Sequence, residues 1–145
     1  MISDADNARS VRGDVQVQQT KSVEGILDEI IQQEFVSDPG IYSVSIVSKT
    51  GLMIAGRSAS PSKPETFSAM AAIMYSSAEA TRTDALKDKL EYILGIFRNS
   101  KLVICEVSSS LLIVVTADRN IETEKILENM NKVITRTKQE LVWLR

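Results

Sequence analysis

Three apolar runs of strand length, 90–97 (LEYILGIF), 102–107 (LVICEV) and 111–117 (LLIVVTA), follow one another with only four and three residues between them. Links this short cannot carry the crossover of a dozen or more residues that a parallel connection needs, so these runs must form an antiparallel meander. The last run is apolar on both of its alternating faces. That predicts a sheet covered on both sides, with this strand at its centre.

The rest of the chain supplies the cover. From Ser22 onward, Val23, Ile26, Leu27, Ile30 and Ile31 recur at helical spacing, while Glu24, Asp28, Glu29, Gln32 and Gln33 take the opposite face. This is an amphipathic helix with Ser22 as its N-cap, stopped by Asp38, Pro39 and Gly40. Residues 41–48 (IYSVSIVS) and 52–57 (LMIAGR) flank Lys49, Thr50 and Gly51 and read as a hairpin. After a loop, Pro64 suits a first helical turn, and 65–87 contain no further proline or glycine. In that helix Phe67, Met70, Ala71, Met74 and Ala78 form a stripe, and Ala69, Ala72, Ser76, Ser77 and Ala80 keep much of the remaining surface small enough for another backbone to come close. Asp118 and Asn120 offer caps for a last helix with Ile126, Met130, Val133, Thr137 and Leu141 on one stripe and a Glu128 to Lys132 pair on its surface. The order is α-β-β-α-β-β-β-α, an α+β sandwich of five antiparallel strands with helices on both faces. Residues 1–21 are polar and aperiodic and are expected to be a flexible tail, with Val15 and Val17 as the one hint of an added edge strand; residues 22–145 form the folded domain.

The chain has no histidine and a single cysteine, Cys105. This excludes a disulfide within the chain, a Cys/His zinc site and any His-based triad. Seventeen basic against nineteen acidic residues leave a net charge of −2, too little field to attract nucleic acid or an anionic membrane. No apolar run approaches the ~18 residues of a spanning helix, and Asp4, Asp6, Arg9, Arg12 and Asp14 stand where a signal peptide needs apolar residues. A cytoplasmic protein without membrane insertion is expected.

Two fragments match the penicillin-recognising serine enzymes: Ser60-Pro61-Ser62-Lys63 as S-x-x-K and Lys49-Thr50-Gly51 as K-T-G. Their order is reversed, no S-D-N follows, and the first falls in a loop rather than at a helix start. They read as a cap and a hairpin turn. Neither a Walker A loop nor G-x-G-x-x-G is present, so nucleotide, where it matters, is bound by a partner. Cys105 sits in an apolar strand and reads as core. The carboxylate pairs Asp28 with Glu29 and Glu122 with Glu124 lie on solvated helix faces without convergent loop oxygens. No catalytic, cofactor-binding or metal-ligating residue is assigned.

In the run 90–97 only Glu91 is polar, and its position as first strand of the meander places it at a sheet edge. A bare apolar edge is a hazard unless something covers it. Pairing with its own copy about a two-fold axis would extend the sheet and bring the Ala/Ser-rich helix beside its mate; the alternative is that a tail or helix of the same chain covers the edge.

The element order, the hairpin S-K-T-G-L-M-I-A at 48–55, the helix segment Phe67-Ser68-Ala69-Met70-Ala71-Ala72 and the run from Leu111 to Asp118 together resemble the roadblock family of dynein light chains and their bacterial and archaeal relatives. The likeness spans about residues 22–141 and departs from the family at Lys49-Thr50-Gly51, where an Asp-Gly turn is common. It implies a profilin-like fold with one helix on one face of a five-stranded antiparallel sheet and two on the other. It also implies homodimers, or heterodimers with a roadblock paralogue, joined through the second helix and third strand. Here those elements contribute Phe67, Met70, Ala71, Met74, Ala78, Tyr92, Leu94 and Ile96. The family commonly acts without catalysis, as platforms or regulators of Ras-like small GTPases, and a prokaryotic relative activates a polarity GTPase without an arginine finger. The resemblance therefore implies a non-enzymatic homodimer that binds and regulates, or localises, a Ras-like GTPase. Arg57 and Arg82 are the candidate contacts to it. The alternative is a structural adaptor in a larger assembly with no dependence on nucleotide state.

Overall fold

A computed structural model describes residues 22–35, 38–58 and 63–142 of the chain. The expected tail at 1–21 and the serine of the S-x-x-K fragment, Ser60, lie outside them. Helix α1 spans Val23–Glu34, and the Gly25 N–H donates to Ser22 Oγ at 3.1 Å, the N-cap bond that the sequence predicts. Strands β1 (Ile41–Ser48) and β2 (Met53–Ser58) form the hairpin. Helix α2 runs from Pro64 to Thr81, β3 from Ile93 to Ile96, β4 from Ser100 to Glu106, β5 from Leu111 to Asp118 and α3 from Thr123 to Glu140.

All five strands belong to one antiparallel sheet in the order β2-β1-β5-β4-β3, so β5 is the middle strand. One face is covered by α1 and α3: Leu27, Ile30 and Ile31 of α1 and Ile126, Met130 and Val133 of α3 pack with Val44, Ile46, Val103, Cys105, Ile113 and Val115. Among the described residues the other carries α2 alone, whose Ala71 and Tyr75 lie on Val47, Leu102, Ile104, Leu112 and Val114. Among the described residues no helix is long and apolar enough to cross a membrane.

Three elements differ from the expectation. The helix expected over 65–87 stops at Thr81 and continues as a single wide π turn, Arg82–Leu86, closed by Lys87 at φ 53°. The strand expected over 90–97 is reduced to Ile93–Ile96. Continuing its register with β4, in which Ile93 faces Ile104, would set Glu91 opposite Glu106, and like charges directly opposite destabilise a ladder. The caps expected from Asp118 and Asn120 do not start α3. Asp118 Oδ1 instead accepts the Asn120 N–H at 2.8 Å within the preceding turn, and Glu122 occupies the N-cap without a side-chain bond.

The two edges of the sheet are built differently. At β2 the ladder is irregular between Ile46 and Val47, and Gly56 has φ 138° with its N–H bonded to Asp28 Oδ1 of α1 at 2.8 Å. A Cβ there would stand 2.3 Å from the Val44 carbonyl oxygen and 2.7 Å from Ser45 Cα. Neither contact is with a side chain that could swing aside. Gly56→Ala should therefore destabilise the fold by about 2 kcal/mol or more, from the disfavoured φ together with the backbone clash, read as a lowered urea midpoint at unchanged slope.

Candidate interaction surface

The sheet face under α2 decides which helix residues remain outside. Ser68, Ala71, Ala72 and Tyr75 are buried, Phe67 packs against the same cluster, and Ala78 is half-buried. Met70, Ile73 and Met74 point away and are 52, 65 and 36% exposed. The stripe read from the sequence is thus divided: Phe67 and Ala71 are core of this chain, and Met70 and Met74 are surface. With Ala and Ser on both sides of the helix, periodicity alone does not say which side meets the sheet; the bulk of Tyr75, aligned with Phe67 and Ala71, does.

Further exposed apolar side chains lie on and around the edge strand. Tyr92, Leu94 and Ile96 are exposed, as are Leu86 in the π turn and Phe97, which the sequence reading left unassigned with Ile73. Of the eleven exposed large apolar or aromatic side chains among the described residues, eight lie between Met70 and Phe97. Contiguous exposed apolar patches are uncommon on isolated domains, whereas single exposed apolar residues are ordinary.

Beside α2 a polar network ties three separate elements together. The Tyr75 hydroxyl donates to Glu106 and lies 3.2 Å from Glu79; Lys49 Nζ stands 3.2 Å from Glu106 Oε2 and 5.2 Å above the Tyr75 ring. Glu79 also pairs with Arg82 at 3.1 Å. Burial pushes the Glu106 carboxyl upward, but the Tyr75 hydrogen bond, the Lys49 bond and charge and the Lys138 charge outweigh it and hold Glu106 below the ordinary carboxylate value. Burial, followed by the two neighbouring carboxylates, drives the Tyr75 phenol upward, so it stays a neutral donor. Lys49 of the K-T-G fragment is therefore engaged, and Lys63 of S-x-x-K is the N-cap of α2. No local signal announces this network, because its members are brought together from the hairpin turn, α2 and the end of β4. Between the hairpin turn and α2 an open depression of about 370 Å³ is floored by Ala69, Ala72 and Ser76 and rimmed by Lys49 and Ile73.

Arg57 and Arg82 are not brought together. Arg57 lies on β2 opposite Val44, on the side of α1, and its guanidinium donates to the Phe35 carbonyl at 3.1 Å. Arg82 begins the π turn after α2, held by Glu79 and by the Asp88 carbonyl at 3.1 Å. Cys105 is 6% exposed in the core, and burial pushes its thiol up to about 11.

A folded-state pKa below the unfolded one means that Glu106 stabilises the native chain above the ordinary carboxylate pKa, and that this contribution disappears as pH falls through the lowered value. The Glu106 side chain is 47% exposed, which limits the effect to roughly 1 kcal/mol or less. Glu106→Gln should lose less stability than the parent chain between pH 6 and pH 3, measured as the change in urea midpoint across that interval.

The Roadblock/LC7 domain family model matches residues 27–117. No curated protein matches the chain. Among solved structures, a Roadblock/LC7 domain from Streptomyces avermitilis superposes with TM-score 0.70 at 16% identity, covering 79% of this chain and 97% of that one. Myxococcus xanthus MglB gives TM-score 0.70 at 12% identity over 85 and 90%. Profilin II of Acanthamoeba castellanii gives 0.57 at 11% over 79 and 98%, so the same sheet and layer arrangement is shared more widely. The matched segment runs from the middle of α1 to the end of β5 and contains the surface described above, and the chain belongs to the Roadblock/LC7 family.

Proposed function

We propose that this is a non-enzymatic, cytoplasmic roadblock protein that forms a homodimer through α2 and β3 and, as a dimer, binds a Ras-like small GTPase and regulates or localises it. One observation carries the dimer reading: exposed apolar side chains are concentrated on α2, the π turn and β3. The contrast between edges supports it. At β2 the outward Gly56 N–H is already taken by Asp28, while β3 has no second strand beside it among the described residues. In this reading Met70, Met74, Tyr92, Leu94 and Ile96 meet the partner directly, with Phe67, Ala71 and Ala78 fixing the helix that presents them.

The GTPase half of the reading rests on membership in the Roadblock/LC7 family. Without catalytic groups of its own, such a protein acts by differential affinity, populating whichever nucleotide state of the partner it binds more tightly. An effect on hydrolysis would come from ordering the partner's own residues, since Arg57 and Arg82 are both occupied by bonds within the chain.

Two measurements test the two halves. A charge in the apolar surface, Leu94→Glu or Met74→Glu, should halve the mass seen by light scattering by turning dimer into monomer; an unaltered dimer would mean that another surface is used. Capture with the tagged protein from native lysate, in GDP and in a non-hydrolysable GTP analogue, should recover a small GTPase in one state well above the other. Recovery of a constant set of partners in both would favour the adaptor role instead.

A further inference from the structure

On the face of the sheet opposite α2, a cavity of about 370 Å³ lies between the end of α1 and the first half of α3. Its apolar wall comes from Phe35 after α1, Ile41 at the start of β1, Ile121 in the turn before α3 and Ile126 of α3. Charged side chains stand on two sides of it: Glu34 and Asp38 from α1 and the turn that follows, Lys125 and Lys132 from α3. Asn129 lies between the two lysines at helical spacing, so all three belong to one face of α3. At one end the charges satisfy each other, since Asp38 Oδ1 accepts the Gly40 N–H at 2.8 Å and its Oδ2 lies 3.9 Å from Lys125 Nζ. At the other end they do not. Among the described residues the half-buried side chains of Glu34 and Asn129 have no hydrogen bond or ion pair, and Lys132 reaches only Glu128 of its own helix, at 3.9 Å.

Glu34 and Lys132 are thus opposite charges on two helices of one cavity that do not reach each other, with an unsatisfied amide beside them. Half-buried polar groups of this kind are costly unless water or a ligand satisfies them. We propose that the cavity binds a free α-amino acid with an apolar side chain, its ammonium on Glu34, its carboxylate on Lys132 and the Asn129 amide, and its side chain against Phe35 and the three isoleucines. Such a molecule carries both charges on one carbon beside an apolar group, which is the arrangement that the lining complements. The acidic and basic side chains of the lining balance, so it favours no net charge. A phosphate ligand would meet Glu34 and Asp38, and a polyamine Lys125 and Lys132, as like charges. A few convergent polar groups over an apolar wall at this volume are the ordinary make-up of a small-molecule site. The site lies on the sheet face away from α2 and is independent of the dimer reading. A ligand bound there joins the end of α1 to α3.

A ligand that binds only the folded chain raises its thermal midpoint with concentration, so the full-length protein reports the site directly. L-leucine, L-isoleucine, L-methionine and L-phenylalanine are the probes, with affinity read by calorimetric titration. At least one should raise the midpoint, and its N-acetyl and carboxamide derivatives, each lacking one charge, should bind at least about tenfold more weakly. Glu34→Gln should weaken the free amino acid by a similar factor and leave the N-acetyl derivative unchanged, because that derivative has no ammonium for Glu34 to meet. Lys132→Met should likewise weaken the free amino acid and spare the carboxamide. The comparison among derivatives on the parent protein keeps the test open if either variant folds poorly. No binding of any of the four probes up to about 10 mM would overturn the proposal. Equal or tighter binding of the doubly blocked N-acetyl amide would also overturn it, and would assign the cavity to a segment of a partner protein.

Discussion

β5 lies between β1 and β4 with Leu112 and Val114 beneath α2 and Ile113, Val115 and Ala117 beneath α1 and α3, and none of Leu112 to Val115 is exposed at all. A strand in that position has no face to offer water, so both helical layers are obligatory. Each of its large side chains is worth roughly 1.5–3 kcal/mol on burial. Its neighbours follow from the same demand. β1 and β4 alternate with it in register, their apolar residues divided between the two layers, and the ladder positions each helix over the pair of strands it must cover. Among the described residues α2 covers its face alone, and the residues it does not need for that purpose, Met70, Ile73 and Met74, are left outside.

Most of this architecture was legible in the sequence because it follows from local rules. The Ser22 cap, Pro64 at the first turn of α2, the hairpin around Lys49 and Thr50 and the centrality of β5 each depend on residues close together in the chain. The departures have more than one origin. β3 is short because its extension would bring Glu91 to Glu106, which Lys49 and Tyr75 already hold. Asp118 serves the turn and the Tyr42 hydroxyl, at 3.1 Å, instead of capping α3. The π turn at Arg82–Leu86 has no counterpart in helical periodicity, since nothing in RTDAL distinguishes a wide turn from a regular one.

The surface was legible in part. The apolar character of 90–97 and the small residues of α2 singled out two elements that do carry exposed apolar side chains, whereas the side of α2 that faces outward required the sheet to be in place. Ile73, Leu86 and Phe97 belong to the exposed set for reasons visible only in three dimensions: the rotation of α2, the π turn, and a ring folding back over a glycine.

The bond from Gly56 to Asp28 has a consequence for growth of the sheet. A five-stranded sheet with two equivalent free ends can add copies indefinitely and give fibres, because each addition exposes a fresh end. Here one end is stitched to a helix and bent by a glycine that no other residue can replace without strain. Joining the remaining ends to each other would use up the last place at which a strand could be added. Assembly by strand addition would then terminate at two chains, and the single acid-to-amide contact on α1 would act as the chain terminator of a potential polymer.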